Sequence, residues 1–177
     1  STSHRVYVGE TAVFVNQQDK LYVFDGTNNQ LVGAVDLGLS ANFENLGVAA
    51  NSATGLAYVA YTGDDRVAVV DAGASLLGRI TPSQMAQWPY DPWLAVNSVT
   101  NRLYLRGETE TVVINLANNT EVGTLNRTGL IAVDESRNRI YVHRGDKLHV
   151  YDGATNAKVR EVELTEWYTV TDIAFDP

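Results

Sequence analysis

The sequence predicts an all-β chain folded as a β-propeller, with four four-stranded antiparallel blades plus the inner strand of a fifth. Three observations lead there. A phrase recurs as Val48-Ala49-Ala50-Asn51, Leu94-Ala95-Val96-Asn97, Ile131-Ala132-Val133-Asp134 and Ile173-Ala174-Phe175-Asp176. Its starts differ by 46, 37 and 42 residues, and self-similarity near that period marks a blade-like repeat. Between the recurrences lie short β-branched and aromatic runs bounded by Gly, Asn and Asp, the pattern of strands joined by hairpins. No window places apolar residues at helical spacing with caps, so essentially no helix is expected.

The fourth unit shows the elements in order. An apolar strand, Ile131 to Val133, leads through the polar turn Asp134–Asn138 into a second strand, Arg139 to His143. The tight turn Arg144-Gly145-Asp146 opens a third strand, Lys147 to Tyr151. The turn Asp152–Asn156 then delivers a fourth, Lys158 to Leu164. Gly suits such turns because it accepts positive φ without a steric penalty. The second unit supplies strands at Leu56–Tyr61, Arg66–Asp71 and Leu76–Ile80, the third at Arg102–Arg106, Thr111–Asn115 and Glu121–Leu125. The first unit aligns on the fourth without a gap, Ala12 to Gly26 on Arg139 to Gly153 at a constant offset of 127. That alignment starts the first unit's second strand at Ala12 and leaves Arg5-Val6-Tyr7-Val8 as its inner strand. The expected blades are 4–47, 48–93, 94–130 and 131–172, with a stub at 173–177. A β-sandwich is the competing fold, but a sandwich has no reason to repeat one four-strand phrase.

Asn97 through Leu105 and Asp134 through Val142 resemble the YVTN-type β-propeller repeat: Asp or Asn, a few turn residues, then Asn-Arg-aliphatic-Tyr-Val. The later element of that repeat, a strand ending in Asp or Asn before a Thr/Asn turn, is matched by Val69-Val70-Asp71, Val113-Ile114-Asn115 and Val150-Tyr151-Asp152. The resemblance covers nearly the whole chain. It implies a propeller of the kind found in surface-layer and cell-envelope proteins, in a superfamily that also holds lactonases and redox subunits. The Gly-His and Trp-Asp marks of a WD40 repeat are absent.

Composition narrows the function classes. With 177 residues the chain is long enough for a real core. A formal charge of −8 disfavours non-specific nucleic-acid binding, which needs a basic face. No apolar run is long enough to span a membrane as a helix. With no Cys, thiolate metal sites, Cys nucleophiles and disulfides are excluded.

The stub Ile173, Ala174, Phe175 is read as an interface strand without a blade of its own. It suggests a ring completed by missing blades, a protein partner or a second copy; a closed four-bladed ring is the alternative. The connectors from each outer strand to the next inner strand carry Phe43, Trp88, Tyr90, Trp93, Trp167 and Tyr168. Exposed aromatics on a rigid scaffold bind ligands or partners, whereas buried ones wedge between blades. The second-to-third-strand hairpins carry Asp19, Asp64, Asp65, Glu108 and Asp146, a pattern that fits solvated turns better than a cation site. His143 and His149 flank one hairpin and could approach each other across two strands. No Ser-His-Asp set, metal site or cofactor site is legible. The resulting expectation is a non-enzymatic binding or assembly module of the cell envelope, extracytoplasmic. The alternative is a segment of a lactonase-like or redox propeller whose catalytic groups lie partly in missing blades.

Overall fold

The structure is a computed structural model that describes residues 4–11, 18–39, 46–61, 65–86, 91, 93–164 and 172–175. Its elements are β1 (Arg5–Glu10), β2 (Gln18–Asp25), β3 (Gln30–Leu39), β4 (Leu46–Asn51), β5 (Leu56–Tyr61), β6 (Arg66–Val70), β7 (Leu76–Ile80), β8 (Leu94–Asn97), β9 (Arg102–Arg106), β10 (Thr111–Asn115), β11 (Thr120–Leu125), β12 (Leu130–Asp134), β13 (Arg139–Arg144), β14 (Lys147–Asp152) and β15 (Lys158–Glu163). They form four antiparallel sheets, β1–β2–β3, β4–β5–β6–β7, β8–β9–β10–β11 and β12–β13–β14–β15, here blades 1 to 4. Among the described residues there is no helix, so none is long and apolar enough to cross a membrane.

Blade 1 departs from expectation. It has three strands among the described residues, and β1 pairs directly with β2, Arg5 opposite Asp25 and Tyr7 opposite Val23. In blade 4 the same register joins the second and third strands, Arg139 opposite Asp152 and Tyr141 opposite Val150. Arg5-Val6-Tyr7-Val8 is therefore a second strand, not the inner one. The gapless alignment holds over the third strand, Lys20 to Gly26 on Lys147 to Gly153, but misplaces the second strand at Ala12 to Asn16; residues 12–17 lie outside the described part. The physical reason is local. Arg5 binds the Asp25 carboxylate at 2.9 Å as Arg139 binds Asp152 at 2.5 Å. The Gly26 N–H reaches the His4 carbonyl at 2.7 Å, as the Gly153 N–H reaches Asn138 at 2.9 Å.

The chain divides into two compact units, Ser1–Pro92 and Trp93–Pro177, each holding two blades. In the first unit the core is Leu21, Val23, Val35 and Leu37 of blade 1 against Ala57, Val59, Tyr61, Ala68 and Val70 of blade 2. In the second, Tyr104, Val113 and Leu125 of blade 3 meet Ile131, Ile140, Val142 and Tyr151 of blade 4. Both units obey the two-residue alternation of a strand. The face carrying Tyr7 in blade 1, or Tyr104 in blade 3, packs on the following blade; we term it the front. The face carrying Ala57 and Val59, or Ile140 and Val142, packs on the preceding blade and is the back. A register irregularity marks the third-to-fourth-strand hairpin of every blade, at Val23/Phe24, Val69/Val70, Val113/Ile114 and Val150/Tyr151, with a second in blade 1 at Asp19/Lys20, and such bulges add twist.

Candidate functional site

Each blade has two ends. At one, the inner strand turns into the second strand, and Asn51, Asn97 and Asp134 are almost fully buried there. Asn51 Oδ1 accepts the Ala53 and Thr54 N–H groups at 3.0 and 3.2 Å, and Asn97 Oδ1 accepts those of Val99 and Thr100 at 3.1 and 3.0 Å. Asp134 Oδ1 accepts the Arg137 N–H at 3.0 Å and the Ser136 hydroxyl at 2.7 Å. Burial works against the Asp134 carboxylate, but the bonds from Ser136 and Arg137 prevail and its pKa is lowered. These are turn formers bonded to local backbone, as their side-chain chemistry suggests.

The same end staples blades together. Arg5 Nε donates to the Ala72 carbonyl of blade 2 at 3.0 Å, and the Tyr7 hydroxyl donates to the Gly55 carbonyl at 2.9 Å. In the second unit Arg102 donates to the Gly153 carbonyl of blade 4. Asn97 Nδ2 donates to Asn138 Oδ1 at 3.0 Å, and the Ser98 N–H to Glu135 Oε1 at 2.5 Å. Ala72 and Gly153 both follow the Asp that ends a third strand, so the arginine staple repeats from unit to unit. Leu56 holds this position in blade 2.

The opposite end gathers the connectors and the second-to-third-strand hairpins. In blade 3 the Arg106 N–H donates to the Trp93 carbonyl at 2.8 Å, fixing the half-buried Trp93 beside the 107–110 hairpin. The Thr111 hydroxyl donates to the Arg127 carbonyl at 2.7 Å and the Thr128 hydroxyl to the Gly107 carbonyl at 2.5 Å. Gly129 fits because nothing larger can: a Cβ there would stand 1.9 Å from the His143 carbonyl oxygen. In blade 4 the Leu164 N–H donates to the Asp146 carbonyl at 2.7 Å, so the outgoing chain starts beside that hairpin. Gly145 has φ of 65° there, and the turn geometry accounts for the Arg-Gly-Asp spelling. Met85 and Ala86 of the second connector are buried, so these two residues belong to the core. Of the aromatic candidates only Trp93 is described; Phe43, Trp88, Tyr90, Trp167 and Tyr168 lie outside the described residues.

His143 and His149 do not approach each other as expected. The register sets His149 opposite Val142 and His143 opposite Leu148, so their side chains leave opposite faces of blade 4. His149 lies buried on the back face with Nδ1 3.2 Å from Glu161 Oε2, and burial lowers its pKa. Glu161 also binds Lys147 at 2.7 Å and Lys158 at 2.8 Å, which holds its carboxyl down at about 2. On the same face burial pushes the Tyr151 hydroxyl up to about 12, and that hydroxyl donates to Asn126 Oδ1 at 2.7 Å. Among the described residues no group of three or more His, Asp or Glu could hold a metal ion.

Ile173, Ala174 and Phe175 form no ladder among the described residues. The Phe175 ring stacks on Tyr141 of blade 4, centroids 6.4 Å apart and planes 10° from parallel. Val133, its counterpart in the recurring phrase, packs on the Tyr104 cluster of blade 3. Sequence reasoning missed the repeated arginine staple. Its signal was present: Arg at the start of three second strands, and Asp followed by a small residue at the end of the third.

No family model and no curated protein matches the chain. Solved structures do. A chain of the crystal structure of the mitotic checkpoint complex matches with a TM-score of 0.68 at 12% identity, over 93% of this chain and 49% of that one. Kuenenia stuttgartiensis hydrazine synthase matches with a TM-score of 0.60 at 14% identity, over 80% of this chain and 42% of that one. The chain thus spans less than half the length of either structure. With four antiparallel sheets and these likenesses, the fold is a β-propeller.

Proposed function

We propose that the chain is a non-enzymatic binding and assembly module of the cell envelope, built from YVTN-type repeats and working outside the cytoplasm. The observation that carries the binding role is an uncovered apolar blade face: Val6 and Val8 on the back of blade 1 are 50% and 46% exposed, while their counterparts Ile140 and Val142 are fully buried. Apolar sheet faces left open on a rigid scaffold mark partner surfaces. The likeness to a chain of the mitotic checkpoint complex supports a role in assembly, and the YVTN-like repeats support the envelope. The aromatic connectors, Phe43, Trp88, Tyr90, Trp93, Trp167 and Tyr168, form the second binding surface in this proposal.

Co-sedimentation of the purified chain with envelope fragments of the source cell tests this. Replacing Trp88, Trp93 and Trp167 with Ala should weaken co-sedimentation and leave the thermal midpoint near that of the parent. A loss of about 3–5 kcal/mol per Trp with co-sedimentation unchanged would make these residues core wedges and overturn the connector surface. The alternative of an enzyme or redox segment has the hydrazine synthase likeness behind it. Fold alone does not carry activity, so turnover of a lactone panel by the purified chain is the observation that would favour it.

A further inference from the structure

The joint inside each unit closes on different chemistry at one equivalent position. On the back of blade 2, Ala68 stands between Val59 and Arg79. Arg79 reaches blade 1: one guanidinium nitrogen donates to the Leu37 carbonyl at 2.7 Å and Nε to the Tyr61 hydroxyl at 3.3 Å, and that hydroxyl donates to the same carbonyl at 3.0 Å. On the back of blade 4 the registers put His149 in the place of Ala68, between Val142 and Glu161. His149 is 2% exposed, and the face that carries it, with Val142 and Tyr151, is the one packed on blade 3. Its Nδ1 is 3.2 Å from Glu161 Oε2, yet this buried nitrogen makes no hydrogen bond among the described residues. The charged groups facing it come from three elements: Lys147 on its own strand, Glu161 and Lys158 on β15, and Arg127 on the connector from blade 3. Lys147 and Lys158 both hold Glu161, and Glu163 lies 3.7 Å from Lys147.

We propose that the joint between blades 3 and 4 is an acid-sensitive device: protonation of His149 parts blade 4 from blade 3 with both sheets intact, while the joint between blades 1 and 2 stays closed. An imidazolium at this place would be a fourth cation around one carboxylate, and it would be cut off from water. A buried charge is costly unless it is paired, and the carboxylate within reach is already held by two lysines. Parting the blades returns water to the ring and separates it from Arg127, so the proton favours the open form. The ladders of each sheet lie within its own blade and survive the opening. Closed, the joint keeps His149 neutral, so closure is fully favoured above pH 6.5 and progressively less as pH falls below it. Glu161 stays ionised down to about 2, and the neighbouring Tyr151 keeps its proton up to about 12, so neither titrates in that window. At the other joint, neither an alanine nor a guanidinium changes charge in the histidine range. The device works whatever partner the chain binds.

The absence of Cys allows buried thiol probes on a clean background. Val113 of blade 3 and Val23 of blade 1 are counterparts, opposite Tyr104 and Tyr7, and both are fully buried in their joints. Val113→Cys and Val23→Cys, each checked for parental circular dichroism, are reacted with dithiodipyridine at pH of about 7.5 and 5.5, on either side of the usual histidine value. Each rate is divided by that of free cysteine at the same pH. One proton taken up on opening raises the open fraction by about tenfold at most over this range. The expected result is a several-fold rise at residue 113, none at residue 23, and loss of the rise when His149→Leu or His149→Gln is added to Val113→Cys. If Val113→Cys loses the parental spectrum, Leu125→Cys, fully buried in the same joint, takes its place. Equal rises at both positions would mean acid unfolding of the whole chain and overturn the proposal. An unchanged rate at residue 113, or a rise that survives both His149 substitutions, overturns it too.

Discussion

Blade 1 and blade 4 use nearly the same words. Arg5-Val6-Tyr7-Val8 matches Arg139-Ile140-Tyr141-Val142, both arginines bind the Asp that ends the third strand, and both hairpins turn through Asp-Gly. Their back faces nevertheless differ completely. Ile140 and Val142 are fully buried against Tyr104, Val113 and Leu125 of blade 3, while Val6 and Val8 are about half exposed. Burial is therefore set by the neighbouring blade and not by the strand's own pattern. An apolar residue at a repeat position becomes core only where another sheet stands on it.

The largest expected effect separates these two faces. Ile140→Ala should destabilise by about 2–5 kcal/mol, because the cavity opens inside a two-sheet core. Val6→Ala, measured at a concentration low enough to keep the chain monomeric, should stay within about 0.5 kcal/mol, as for other exposed positions. Denaturant unfolding of both variants gives the numbers. Equal losses would show that something covers the back of blade 1 in the isolated chain.

A smaller contrast lies in the Asp-Gly turns. A Cβ on Gly153 would come within 2.1 Å of Asn138 Oδ1, the atom that bonds Asn97 Nδ2 of blade 3. On Gly26 the nearest atom, the His4 carbonyl oxygen, would be 3.3 Å away. Gly153→Ala should thus cost about 1–3 kcal/mol, as overpacking does, and Gly26→Ala clearly less. A Gly26→Ala loss matching that of Gly153→Ala would mean that the two turns are equally crowded.

The smallest effect is on pH dependence. His149 on the back of blade 4 has Tyr22 as its counterpart in blade 1, opposite Val8 as His149 is opposite Val142. Burial lowers the His149 pKa below its usual 6.5, Glu161 opposes this, and Arg127, Lys158 and Lys147 reinforce it. A depressed His is held neutral by the fold, so its contribution is complete above 6.5 and is lost as pH falls from there toward the folded value. Glu161, with its pKa near 2, remains ionised across that window. The thermal midpoint of the parent should fall between pH of about 7.5 and 5.5 more than that of His149→Leu. Parallel pH profiles for the two would show that His149 does not titrate on unfolding.

Much of the fold was legible because the repeat encodes it chemically. The phrase ending in Asn or Asp marks each inner strand since that side chain closes the following turn. Asp25, Asp71, Asn115 and Asp152 do the same after each third strand, accepting the N–H two residues on. Asn29, Ala74, Asn119 and Asn156 then take positive φ to enter the fourth strand, a conformation Asn tolerates well. The misreading of blade 1 came from trusting spacing over motif. Arg5 and Asp25 are farther apart in sequence than Arg139 and Asp152, so a gapless match placed the second strand at Ala12 to Asn16 instead of at Arg5 to Val8. The Arg-aliphatic-Tyr-Val wording was the better guide, since it specifies an ion pair and a face, while loop length costs little free energy. The candidate site was less legible. Aromatics on connectors state that a contact exists, not whether it is with a partner or with the blade beneath.

Taken alone, the sequence determined the strands and turns of blades 2 to 4 and the alternation of faces, because these depend on dihedral preferences and hydrogen bonds within some ten residues of each other. Only the tertiary structure decided which apolar faces are core, which arginines reach across to another blade, and that His143 and His149 part company. Those outcomes depend on which sheet stands against which, a matter of contacts between residues far apart in the chain, as Arg5 to Ala72 and Arg102 to Gly153 show.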